Sequence, residues 1–588
     1  MTRGRRQVTA RVMALAMALA MALAVTLAAQ PGVARAQGTG APQAAAAATT
    51  AAPTPARDTT GGMSWLTRRL GGQAQVFSEV YGIDGMARRR PGSTWRVLAT
   101  PRLGIIGGTE VGLDLLLSSE GNEARQSINQ VAFEPNWGWG QLHLGDFARD
   151  YSPYTMQGLR IRGGGLDIER WGVRASVQGG RSAALIPTSA DGPTYRRNIV
   201  AGAIGIGRVG QRSLDLRLVR AVDALIPDET PVFDTLGLDT LPADLRPQQR
   251  TRPQENLVAA LGGTLRLFER RLSLKGEVAG ALLTRDLTSP EVDPDSVDGA
   301  PAVGTLRTSS LGDAAYNVDA QWQGRAFGLR GGYEAIGAGF TSLGLAYLVN
   351  DRRSWNVGGD TRLARGALQL QGRFQRQENN LQSQRVATTT RDVMTGTATV
   401  RLPADLTVSL VGLLAVAGND ETNDSLRVDN RTSTLNASLS RPWRFAGRSA
   451  SASLAWATQS TEDLNPVRLT PKVTVQTANL ALAVPVARWL TVAPAVSAVL
   501  PSEGAGEENM LGSLRLSVNG LQAMTLSGNF TQTFVSARAV TTGGLQWGWS
   551  LPGDVQFMLQ ARYLRFGALG ARPAFSERFL TTTLGRSF

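Results

Sequence analysis

One histidine and no cysteine stand in 588 residues, and that narrows the chemistry at once. A disulfide framework and thiol catalysis are excluded. A zinc centre needs several His or Cys ligands, so any metal would require an all-oxygen cage. The histidine, His143, lies in the run GQLHLGD, between Leu142 and Leu144 with Asp146 close by. Beside a serine or an acid it could serve as a general base. A single histidine on the polar face of a strand is instead expected to be a wall residue, and no catalytic, cofactor or metal residue is assigned. Asp293, Asp295 and Asp298 could hold calcium. Their spacing lacks the glycine and closing glutamate of an EF-hand loop, so they read as solvated loop surface.

The other polar residues with a regular spacing alternate with apolar ones. Asp215 and Arg217 alternate with Leu214, Leu216 and Leu218. Lys275 and Glu277 alternate with Leu272, Leu274 and Val278, and Asp319 and Gln321 with Val318, Ala320 and Trp322. Gln369, Gln371 and Arg373 alternate with Leu368, Leu370 and Phe374, and Gln556 and Arg562 with Val555, Phe557 and Leu559; Arg515 is placed with them. Strict period two marks a strand with one apolar and one wet face. The mixed sign of these residues implies a hydrated interior with local ion pairs. The positive net charge of +14 adds a modest anion preference. No Lys/Arg block interleaves with aromatics, so nucleic-acid binding is not indicated.

The elements that position these residues recur from about residue 70 to Phe588. Tight turns are expected at Arg208–Arg212, Glu269–Arg271, Gly324–Arg325, Arg362–Gly366, Pro403–Asp405, Pro485–Arg488, Asn519–Gln522 and Pro552–Gly553. Longer connections such as Phe147–Gln157, Asp223–Gln254, Asp286–Leu311 and Asn419–Asp429 lie between them. A soluble sandwich would share the strand alternation. Regular exchange of tight and long connections over so many strands instead suits a closed barrel at membrane depth, where every backbone polar group must find a strand partner. The fold class is all-β: a single antiparallel transmembrane β-barrel of about 24–26 strands, with short periplasmic turns and long extracellular loops. A plain tally gives about 27 strands, with one break of turn parity at Ala335–Asp351, where Phe340 to Val349 looks like an extra strand. If that segment is a loop, parity holds to the end and the count is about 26.

Arg3, Arg5, Arg6 and Arg11 precede the apolar run Val12 to Ala29, and Ala34-Arg35-Ala36 forms an A-x-A cleavage site. The run is long enough for an anchor helix, but the cleavage site argues for a signal peptide over residues 1–36. Residues 37–69 read as a disordered Ala/Pro/Thr-rich periplasmic segment, too short for a plug, and residues 70–588 as the barrel. Leu580, Leu584 and Phe588 share a face of the last segment. This resembles the C-terminal recognition strand of Gram-negative outer-membrane proteins, departing from it at Arg586; the resemblance implies the barrel-assembly machinery as a partner. Leu144-Gly145-Asp146, Gly158, Arg160, Ile161, Arg162-Gly163 and Leu166-Asp167 resemble an early stretch of fimbrial usher barrels. The periplasmic and plug domains of an usher and its C-terminal cysteine pair are not evident.

A ring of 26 strands has a backbone diameter on the order of 50 Å, too wide to stand open. With no plug, inward-folded loops are expected to restrict it: Asp223–Gln254, Asp286–Leu311 and Glu334–Asp351. The leading function is porin-like passage of small or medium polar solutes. The alternatives are a gated, usher-like export pore working with periplasmic partners, and a structural barrel without transport. The surroundings implied are the outer-membrane bilayer and lipopolysaccharide, and the chain is expected to be monomeric.

Overall fold

A computed structural model describes residues 70–105, 108–119, 129–183, 195–208, 210–224, 252–293, 305–468, 472–502, 508–521, 524–535, 539–568 and 572–588. The expected signal and Ala/Pro/Thr-rich segments, most of the connection Asp223–Gln254, and Asp295 and Asp298 lie outside them.

The described chain is all-β, a closed antiparallel barrel of 26 strands. Each strand pairs with its neighbours in chain order. The last, Phe575–Ser587, pairs with the first along its whole length, from Ser587↔Gln73 to Ser576↔Asp84. The C-terminal segment is therefore the closing strand and has no free edge to cover. Two strands are interrupted. The first consists of Leu70–Gly71 and Gln73–Asp84, broken at Gly72, whose φ of 119° a side chain would not tolerate. The second consists of Ser93–Ala99 and Arg102–Gly104, broken beside Pro101, which has no N–H to give the ladder.

Tight connections alternate with longer ones, as the turn pattern predicts. Several tight ones place two consecutive residues at positive φ: Trp171 and Gly172 (56° and 80°), Ala404 and Asp405 (61° and 57°), Ala446 and Gly447 (50° and 78°), and Gly553 and Asp554 (77° and 58°). That is the backbone of two-residue hairpin turns whose twist matches that of the strands. Trp171-Gly172 and Ala446-Gly447 escape a search for Pro, Asn and Asp turn signals. The segment between Ile336 and Arg352 contains no strand. The apparent extra strand at Phe340 to Val349 is thus a loop, and the even count follows.

One strand face is largely apolar and half exposed: Val200, Ile204, Leu214, Leu216, Leu218, Val278 and Val318 belong to it, as do Leu580 and Leu584. A barrel in lipid presents such a face outward. Along the tight-turn rim stand exposed aromatics, among them Trp139, Trp171, Phe268, Phe327, Phe445 and Trp489. Girdles of aromatic residues flank the apolar band of a membrane barrel, with Trp at the membrane–water boundary. These two features place the turn rim at one interface of a membrane and the wet face inside the barrel.

Candidate channel wall

All twelve sequence-predicted wall residues fall on the face opposite the exposed leucines and valines. Register carries Asp215 to Gly262, Glu277, Asn317 and Glu334; Arg217 is two residues along the same strand from Asp215. Lys275 pairs with Asp319, which leads through Gly332 and Asn356 to Gln375. Gln321 lies two residues from Asp319, and Gln369, Gln371 and Arg373 step down from Gln375. Arg515 pairs with Asn529, and the line continues through Gly544 to Arg562; Gln556 shares the face of Arg562.

Between the second and eleventh strands this inner face carries paired charges. Arg174 meets Asp215 at 2.6 Å, and Arg217 lies 3.5 Å from both Asp215 and Glu277. A second group begins at Arg102, 3.0 Å from Asp114 and 3.8 Å from Glu134. It continues to His143, whose ring nitrogens stand 3.1 Å from Glu134 and 3.0 Å from Asp167. Arg149 closes it on Asp167 at 2.6 Å. The sequence suggests Asp146 as the neighbour of His143; the structure corrects this. Successive residues of a strand point to opposite faces, and Asp146 binds Arg162 at 2.7 Å on the other side of the sheet. Both His143 nitrogens face carboxylates, and a doubly protonated ring donates to both. The Ser176 hydroxyl donates to Asp167 at 2.5 Å, not to the imidazole. The His143 ring thereby ties its own strand to the strands on either side.

The usher-like stretch has a local explanation. Gly145 pairs with Gly163, and Gly163 with Gly180. A Cβ at Gly145 would stand 2.1 Å from the Val131 carbonyl oxygen, and one at Gly163 2.0 Å from that of Gly179. The glycines let three strands bend together where side chains would collide.

Toward the long-loop end, the same inner face turns apolar. Ile199, Ala201, Val219, Ala221, Val258, Ala260, Ala279 and Ala281 are buried there. Two loops cover them: residues 149–159, bringing Tyr151, Tyr154 and Met156, and residues 337–351, bringing Phe340, Leu343 and Leu348. Tyr154 and Phe340 meet edge to face at 6.0 Å. The loops also bind each other, Gln157 donating to Gly344 and Ala346 to Gln157, each at 3.2 Å. The Ser342 hydroxyl donates to the Thr155 carbonyl at 2.5 Å. Asn256, 1% exposed, is the anchor. Its amide donates to the Thr341 carbonyl and accepts from the Leu343 N–H, both at 2.9 Å, as a paired strand would. Tyr154 donates to Glu334 at 3.1 Å. Burial pushes its phenol well above the usual range, so it remains a donor. Of the three loops expected to restrict the barrel, Glu334–Asp351 thus packs on the inner wall. Asp286–Leu311 is described only at its two ends, tied by the Glu291–Arg307 ion pair at 2.8 Å. Glu277 lies buried within this half and does not face an open passage.

The inner face of the strands from Leu368 to Phe566 is different. One register line reads Gln369, Thr399, Ser409, Ser438, Ala455, Asn479, Ser497. Hydroxyls and amides dominate, and Arg373, Arg515 and Arg562 are exposed, with no ion pair among the described residues. Arg562 stacks over Phe579 at 4.3 Å.

Sequence reasoning missed Glu134, Asp167, Arg174, Tyr154 and Asn256. A signal for the last was present: the run LVAAL at 257–261, directly after Asn256, is apolar on both faces, which a wet wall would not be unless something covered it.

No family model matches the chain, and no curated protein sequence does. Solved structures resemble it in fold alone. The P pilus usher (PapC) translocation pore aligns at 9% identity and a TM-score of 0.34, over 88% of this chain and 99% of its own. Pseudomonas aeruginosa OccK10 (OpdN) aligns at 13% and 0.31, over 67% and 99%. The siderophore receptor PirA from Acinetobacter baumannii aligns at 9% and 0.35, over 88% and 80%.

Proposed function

We propose that this protein is an outer-membrane channel that passes small or medium polar solutes through a lumen narrowed by its own loops. One observation carries the reading: residues 149–159 and 337–351 cover the long-loop end of the inner face around Val219, Val258 and Ala279, while the inner face of the strands from Leu368 to Phe566 is lined mainly by hydroxyls and amides with nothing described packed on it. Such a face offers hydrogen bonds to a passing solute at every step and holds none of them tightly. The barrel would sit among lipopolysaccharide and phospholipid as a monomer, its closing strand read by the barrel-assembly machinery through Leu580, Leu584 and Phe588. The reading assigns it no catalysis and no cofactor. Purified barrel in planar bilayers is expected to give steady single-channel current steps without added partner. A barrel that stays silent at all voltages would overturn the proposal.

A further inference from the structure

The tight-turn end of the inner wall contains a cavity of about 660 Å³ whose lining includes Arg325, Arg362, Arg365, Arg401 and Gln369. Four arginines line it, and no aspartate or glutamate does. None of the four has an ion-pair partner among the described residues. Asp360, two residues from Arg362 on the same face, is engaged by Arg330 at 3.5 Å. The frame is held by backbone: Arg362 donates to the Ala326 carbonyl at 3.0 Å and Arg401 to that of Ala367 at 2.7 Å. Arg365 sits at a left-handed turn position, φ 55°. Like charges gathered in this way repel one another until an anion enters, and guanidinium forks suit carboxylate and phosphate oxygens.

We propose that this cavity binds small multivalent oxyanions, molecules carrying two or three carboxylate or phosphate groups, at the turn-side mouth of the barrel. Its volume lies in the range of small-molecule sites. Lipid headgroups are not the match, because Arg362 pairs with Gln369 and Arg401 lies two residues from Thr399, all on the inner face. Above the cavity, Gln371 and Arg373 continue the same face, so a bound anion would stand at the foot of the polar wall. That it is a station for transit rests on the channel reading; the binding itself does not.

The test uses the whole barrel in detergent and citrate as probe, with titration calorimetry at low and high salt. Wild-type protein is expected to bind citrate more weakly as salt rises, and R325Q/R401Q to bind it roughly tenfold or more weakly than wild type. Heat-modifiable mobility on gels checks that the variant is folded. If it is not, R365N replaces it, since asparagine accepts a left-handed backbone. No citrate binding by wild type, or equal binding by the folded variant, would overturn the proposal; so would binding of an oligoglutamate peptide without citrate, which points to an acidic protein partner. In bilayers, citrate on the turn side is expected to reduce current through wild type and not through the variant. Citrate binding by a barrel that never conducts would keep the site and sink the channel; conduction without citrate binding would do the reverse.

Discussion

The inner wall from Arg160 to Ile336 and the inner wall from Leu368 to Phe566 are built on the same strand geometry and carry opposite chemistry. In the first, charges face one another across the strands, as Arg174, Asp215, Arg217 and Glu277 do, and apolar side chains lie under two loops. In the second, arginines stand alone among threonines, serines and glutamines. A charge withdrawn from water needs a partner, whereas a charge left in water needs none. The pairing thus reports where water has been excluded, and it separates a wall that supports a loop from a wall that faces solute.

Removing the cover should have the largest effect. Replacing residues 339–348 with a short Gly-Ser link would expose the inner face around Val258 and Ala279 and widen the passage. Single-channel conductance is expected to rise severalfold; an unchanged value would mean that the loop restricts nothing. Next comes Arg217→Leu, which leaves the buried Glu277 carboxylate without its ion partner. Loss of one member of a buried pair costs about 3 kcal/mol, measurable as a lower urea midpoint for unfolding in detergent. A shift no larger than that of an exposed arginine would erase the distinction between the two walls. Asn256→Ala follows, at about 1–3 kcal/mol for two backbone groups left unpaired under a loop. Its expected signature is local: faster hydrogen exchange and proteolysis within residues 337–351, with the ladder elsewhere unchanged.

How much of this could be read from the chain depends on the range of the interaction. Period-two alternation and turn parity are local, so the strands, the closed barrel and its even count were legible, and so was the irregular status of Ala335–Asp351. The face of each wall residue was legible too, because facing follows strand register. The partners were not. His143 and Asp146 are close in sequence but lie on opposite faces, while Glu134 and Asp167 reach the ring from neighbouring strands. Asn256 meets Thr341 and Leu343 across more than 80 positions. Nothing local encodes that contact beyond the doubly apolar run beside it. The arginine cavity escaped for the same reason, since its four arginines come from two turns and the end of a further strand.

The smallest expected effect is the sharpest test of the comparison. Arg373 occupies the same kind of inner strand position as Arg217 but is exposed and has no ion partner among the described residues. Arg373→Leu should therefore change stability by less than about 0.5 kcal/mol, within the error of a denaturant midpoint. It should still remove a positive charge from the water-filled side, so the reversal potential in a salt gradient is expected to move toward cations while the conductance steps persist. Arg217→Leu should do the opposite, moving stability far more than selectivity. If the two variants shift both quantities in the same proportion, the walls are not functionally distinct, and the pairing of charges in the first half records only where acidic residues happen to fall.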